Sequence, residues 1–305
     1  MEITFLGTSG CVPTETRNLS SLIISHLNSP YLFDCGEGTQ RQMRIAGINF
    51  MKIDHIFLTH LHADHFLGLG GMIQSMDFME RTRELNIYGP RGTQETINTL
   101  LSAGTFILDH LTIKIHEITP GPVMESENHA VTCAKTLHTA NSIAYLFEEK
   151  PHRKFLKQKA LDLGVPEGRL FSDLQQGKSV TVKGKTITAD QVLDNPIMGR
   201  KIIYTGDTKP CNNVINLAQD ADVLIHDGTF SNDEKELIEE AAHSTNTQAA
   251  EIAVKANVKK LFLTHISQRY PKPEDLQKIL DDARKIFPET YIAEDLMKVQ
   301  VEKHW

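Results

Sequence analysis

Short apolar runs separated by turn residues predict strands at 3–6, 21–25, 31–33, 55–58 and 85–88. The first ends in Gly7-Thr8-Ser9-Gly10, and the fourth runs straight into a cluster of histidines. Helical period appears at 39–46 and 65–79, and further strands are predicted near 112–116, 129–134 and 143–147. The pattern then changes. Residues 150–160 read KPHRKFLKQKA, five Lys/Arg with no acid, and the chain stays polar to about 195. We read 148–195 as an insertion that projects from the domain and separates its halves, 1–147 and 196–305. Strands at 201–205, 222–226 and 260–264 follow, with helices near 233–241 and 246–256. Pro271-Lys272-Pro273 precedes a final amphipathic helix and one or two closing strands. Strands alternating with helices in both halves predict an α/β fold, a sheet sandwich covered by helices.

Composition narrows the class. With 305 residues, 40% hydrophobic and 23% charged, the chain can bury a sizeable core and carries no sign of long disorder. A net charge of −7 excludes a generally basic nucleic-acid binder. A polyanion would have to be met by local patches and metal ions. Cys11, Cys35, Cys133 and Cys211 form no CxxC pair, and their scatter fits a reducing compartment, so a cytoplasmic location is expected. The N-terminus lacks the basic and apolar regions of a secretory leader, and no apolar run reaches the ~18 residues of a membrane span.

The chemistry concentrates in His60-Leu61-His62-Ala63-Asp64-His65. Zinc takes His, Asp/Glu or Cys ligands at about 2.0–2.3 Å. His60 and His62, two apart in extended chain, project to one side and can grip one ion. Asp64 and His65, at the predicted start of a helix, face elsewhere and can serve a second. Three later residues each follow an apolar strand: His138, Asp207 in Tyr204-Thr205-Gly206-Asp207-Thr208, and His265 after Leu261-Phe262-Leu263-Thr264. Ligands at strand C-terminal ends converge on one sheet edge. Together they make seven candidates, enough for a bridged pair of ions.

HxHxDH, then His, Gly-Asp-Thr and Thr-His in that order, resembles the metallo-β-lactamase superfamily. Phe33-Asp34-Cys35-Gly36-Glu37-Gly38-Thr39-Gln40, the loop Pro13-Thr14-Glu15-Thr16-Arg17-Asn18 and His243-Ser244-Thr245 are similar to motifs of the ribonuclease Z family in its short form, almost end to end. The resemblance implies an αβ/βα sandwich of two mixed sheets and two zinc ions, one held by His60, His62 and His138, the other by Asp64, His65 and His265, with Asp207 bridging. It implies a homodimer acting on precursor tRNA, gripped by an arm that falls on 148–195. Two positions depart from the pattern: Arg169 stands where the arm's Gly-Val-Pro-x-Gly-Pro ends in proline, and Asp227 where relatives carry Glu.

The implied reaction is phosphodiester hydrolysis, for which two metal ions lower the pKa of a water and neutralise transition-state charge. Asp64 is the candidate general base and His243 the candidate proton donor to the departing 3′ oxygen, with Asp227 orienting its ring. Ser244 and Thr245 also read as helix-capping residues, and a helix N-terminus attracts phosphate. Arg17, Asn18, Ser244, Thr245 and the arm's Lys150, Arg153, Lys154, Lys157 and Lys159 are candidate substrate contacts. The rival reading is a hydrolase of small phosphodiesters or other esters with the same site. Zinc, manganese and iron all suit such ligands.

Overall fold

The computed structural model describes residues 1–105, 107–234 and 240–304. Most of the predicted helix at 233–241 lies outside them. Contacts divide the chain into two compact units, Met1–Glu148 with Lys201–Glu302, and Glu149–Arg200 with Lys303–Trp305.

The first unit is built on two seven-stranded mixed sheets. In the N-terminal sheet, Glu2–Gly7, Ser21–His26 and Ser29–Phe33 pair antiparallel, and His55–Phe57, Leu85–Gly89 and Ile113–Glu117 continue in parallel. Lys298–Gln300 closes its outer edge against Glu2–Gly7. In the second sheet, Ile143–Glu149 pairs antiparallel with Lys201–Tyr204, and Val223–Asp227, Lys260–Thr264 and Thr290–Ile292 follow in parallel. Central strands are apolar on both faces, as doubly covered parallel strands must be. Ile202, Tyr204, Ile225 and Phe262 join Phe5, Phe33, Phe57 and Tyr145 in a core between the sheets. The alternate residues Ile203, Leu224, Leu261 and Leu263 face Ala249, Ala250 and Ala253 of the helix Asn246–Lys255. The helix Gly68–Phe78 covers the first sheet through Leu69, Met72, Ile73 and Met76.

Two helices of this unit are absent from the sequence reading, Thr93–Ser102 and Asn212–Leu217. Each buries too little to leave a periodic stripe: Thr93 and Ile97 in one, Val214 alone in the other.

The second unit has its own small core of Ala160, Val165, Leu174, Val180, Ile187 and Val192. Its strands His152–Phe155 and Leu193–Ile197 pair antiparallel, so ordered structure runs past 195, where polarity alone set a boundary. Its ends are tied. Arg200 donates from Nε and Nη2 to the Glu149 carboxylate at 2.7 and 2.8 Å, and Glu149 N–H donates to Arg200 O at 2.9 Å. Arg169 is the first residue of the helix Arg169–Gln175, a position proline also suits.

Candidate metal centre

Parallel register aligns strand C-termini within each sheet. In the first, His60 follows His55–Phe57, and in the second Asp207 follows Lys201–Tyr204, Asp227 ends Val223–Asp227 and His265 follows Lys260–Thr264. Gly206, with φ 56°, permits the turn into Asp207: a Cβ there would lie 2.6 Å from Thr59 Cβ. Asp34 and His265 are also left-handed, at φ 52° and 59°. Such backbone costs roughly 1–3 kcal/mol in a residue other than glycine and collects at functional sites.

The side chains form two groups around one carboxylate. His60, His62, His138 and Asp207 each offer a ligand atom within 4.8 Å of the others, and so do His65, Asp207 and His265. His62 Nδ1 is 3.1 Å from both His60 Nε2 and His138 Nε2. Tetrahedral bonds of about 2.05 Å to zinc would set such nitrogens roughly 3.3 Å apart, so the group fits a cation. Asp207 Oδ2 lies 3.2 Å from His265, 3.4 Å from His65, 3.7 Å from His60, 3.8 Å from His138 and 4.0 Å from His243. Asp64 Oδ2 joins the second group, 3.3 Å from His265 Nε2 and 3.5 Å from His65 Nε2. His65 Nε2 and Asp207 Oδ1 are buried with no hydrogen-bond partner, which is costly unless a ligand meets them.

Outer hydrogen bonds fix which nitrogens face inward. His65 Nδ1 donates to Asp34 at 2.7 Å, His138 Nδ1 to Ala242 O at 3.0 Å, His60 Nδ1 to Thr59 Oγ1 at 3.0 Å and His265 Nδ1 to Thr229 Oγ1 at 2.8 Å. All four Nε2 atoms are thereby left with lone pairs for the centre, the arrangement metal-binding histidines favour. Asp34 also accepts from Thr59 N–H, Thr59 Oγ1 and Tyr204 Oη, each at 2.8 Å. Asp34, Thr59 and Thr229 escaped the sequence reading as site residues. Asp34 had a signal in the Phe33–Gln40 motif, and nothing local marked Thr59 or Thr229.

Electrostatics agree with the ligand chemistry. Burial holds His60, His62 and His138 below the ordinary histidine pKa, hence neutral, as ligands must be. Burial also lowers His65, but Asp207 and Asp34 outweigh it and lift the group well above the usual value. The carboxylates demand positive charge at that point. Burial would raise Asp64 and Asp207, yet His265 and His65 keep both well below the usual carboxylate range. His243 Nδ1 donates to Asp227 Oδ2 at 2.8 Å. Burial pulls its pKa down, and Asp227 reverses that to about 9. Asp227 is itself fixed by Thr229 Oγ1 at 2.6 Å and Thr208 N–H at 3.0 Å.

Known proteins resemble this chain along its whole length. Residues 1–154 match the family model of the anti-Pycsar protein Apyc1, and residues 179–266 that of the beta-lactamase superfamily domain. Ribonuclease Z of Methanothermobacter thermautotrophicus is 46% identical over 304 residues, spanning 100% of this chain and 98% of the relative. That of Archaeoglobus fulgidus is 44% identical, spanning 98% and 97%. The chain belongs to the ribonuclease Z family. The human tRNase Z, short form, superposes with a TM-score of 0.70 at 25% identity, covering 99% of this chain and 100% of that one. The Bacillus subtilis protein YhfI, at 21% identity and a TM-score of 0.69 over 98% of both chains, shares the metallo-β-lactamase fold.

The remaining ribonuclease Z motif residues turn toward the protein. Arg17 Nη1 donates to Thr8 Oγ1 at 2.7 Å and to Ala293 O at 2.6 Å. Asn18 Nδ2 donates to Glu37 O at 2.9 Å. Ser244 Oγ donates to Thr208 O at 2.6 Å, and Thr245 caps the helix Asn246–Lys255 by accepting from Gln248 N–H at 3.1 Å. In the second unit, Arg153 pairs with Asp190 at 2.5 Å and Lys157 with Glu167 at 2.9 Å, while Lys150, Lys154 and Lys159 are half-buried, exposed and exposed.

Proposed function

We propose that this chain removes the 3′ trailer from precursor tRNA by metal-dependent phosphodiester hydrolysis, leaving a 3′-hydroxyl on the tRNA and a 5′-phosphate on the trailer. The observation that carries the reading is Asp207 Oδ2, within 4.0 Å of five imidazoles where two ligand groups meet. His60, His62 and His138 would hold one zinc ion and Asp64, His65 and His265 a second, with Asp207 between them. Bound there, the ions supply Lewis-acid charge and lower the pKa of a water.

The chain's own groups do the rest. Asp64 Oδ2 accepts the Cys11 N–H at 2.9 Å, which fixes the carboxylate to take a proton from the attacking water. Asp227 occupies His243 Nδ1, so Nε2 is the atom left to donate to the departing 3′ oxygen as the P–O bond breaks. Arg17, Asn18, Ser244 and Thr245 are the proposed substrate contacts of the body, held by bonds from Arg17 Nη1, Asn18 Nδ2 and Ser244 Oγ and to Thr245 Oγ1. The basic residues of 150–159 attract the tRNA backbone. The human relative's name, tRNase Z, supports the substrate class.

We further read the enzyme as a cytoplasmic homodimer. Four free cysteines suit a reducing compartment, and among the described residues no helix is long and apolar enough to cross a membrane. A second copy suits the groove of about 910 Å³ lined by Phe78, Met79 and Ile107, where Phe78 is 89% exposed.

The test is cleavage of a trailer-bearing precursor with mapped ends, with metal measured per chain. Replacing 150–199 by a short turn is expected to weaken precursor binding and flatten its salt dependence, while hydrolysis of a small phosphodiester persists. Equal loss of both activities would remove the arm from substrate binding. Cleavage of small esters alone by the intact chain would favour the rival hydrolase.

A further inference from the structure

One side chain beside the site has no part in this scheme. Cys11 stands at the tip of a tight turn in which Val12 N–H donates to Gly10 O at 2.7 Å and Ser9 Oγ to Val12 O at 2.6 Å. Its backbone is left-handed, φ 57°, and its N–H is fixed on Asp64. Gly10 lets this turn press on the site, for a Cβ there would lie 2.6 Å from the His265 ring. In consequence Cys11 Sγ, an Asp64 carboxylate oxygen and a His265 ring nitrogen lie within 4.8 Å of one another. Beside them is the buried, unpartnered Nε2 of His65, 3.5 Å from Asp64 Oδ2. Cys11 itself is reachable from solvent. Among the described residues, the other three cysteines stand outside every such group.

We propose that Cys11 supplies a thiolate ligand to a soft divalent ion at the Asp64, His65 and His265 position, biasing this enzyme toward thiophilic metals such as zinc over hard ones such as manganese. The inference rests on the metal-site reading above. Coordination replaces the S–H bond with a sulfur–metal bond and releases the proton to solvent, with no change of oxidation state.

The experiment uses the full chain, stripped of metal and reloaded with Co²⁺. Histidine and carboxylate ligands alone give visible ligand-field bands, and a thiolate adds a near-ultraviolet sulfur-to-cobalt band. The loaded protein is expected to show both, and Cys11→Ser to keep the visible bands and lose the other. Zinc at ten times its dissociation constant should slow alkylation of Cys11 by about tenfold. Visible bands without the near-ultraviolet one, or with one that survives in Cys11→Ser, would overturn the thiolate ligand and leave the metal site standing. Absence of the visible bands would sink both. Cys11→Gly, which the positive φ favours, serves as a second variant should serine disturb the turn.

Discussion

Asp34 touches neither substrate nor candidate metal position, yet four donors converge on it. It holds His65 in the tautomer that leaves Nε2 free. Asp34→Asn places an amide N–H₂ against those donors, and metal affinity is expected to fall roughly 10–100-fold in a metal titration of the folded variant. His243→Ala should lower precursor turnover by about 10²–10⁴-fold with metal content per chain unchanged. Loss of metal in that variant would instead make His243 a structural support of the ligands. The seven candidate ligands are legible in sequence because each sits at or just beyond an apolar strand. Their supports are not. Tyr204 meets Asp34 across 170 residues and Thr229 meets His265 across 36, and nothing in the local pattern marks either partner.

At the scale of elements, the strands were readable because both faces are buried and the apolar runs are continuous. The helices Thr93–Ser102 and Asn212–Leu217 were not, since a short helix that buries one or two residues resembles a polar loop. The insertion shows a third case. Its basic run is plain in the sequence, but its anchor is an ion pair between residues 51 apart, which no window reveals. Arg200 and Glu149 are 5% and 8% exposed, so removing Arg200 takes two charged hydrogen bonds from a buried carboxylate. Arg200→Ala is expected to cost about 1.5–3 kcal/mol, seen as a lowered denaturation midpoint or as early amide exchange confined to 149–200. Wild-type exchange there would show that other contacts hold the insertion's ends.

For the whole molecule, a net charge of −7 means that tRNA approaches a protein that repels it except at local patches. Salt screens that net repulsion, so the fall in binding with salt should report the few phosphate contacts made by the basic patches alone. Under the proposed homodimer, Phe78→Glu in the groove is expected to raise the dissociation constant by at least tenfold, equivalent to about 1.4 kcal/mol or more, in sedimentation equilibrium. An unchanged monomer–dimer balance would free that groove from a role in self-association. The pairing of Glu2–Gly7 with Lys298–Gln300 has a consequence for synthesis. Met1 meets Val301 across 300 residues, so the outer edge of Glu2–Gly7 stays uncovered until Lys298–Gln300 has been made. His60 and His62 likewise emerge long before Asp207 and His265. A nascent chain stopped midway would carry a bare sheet edge and half a set of ligands. It is a client for chaperones and proteases, not a partial enzyme.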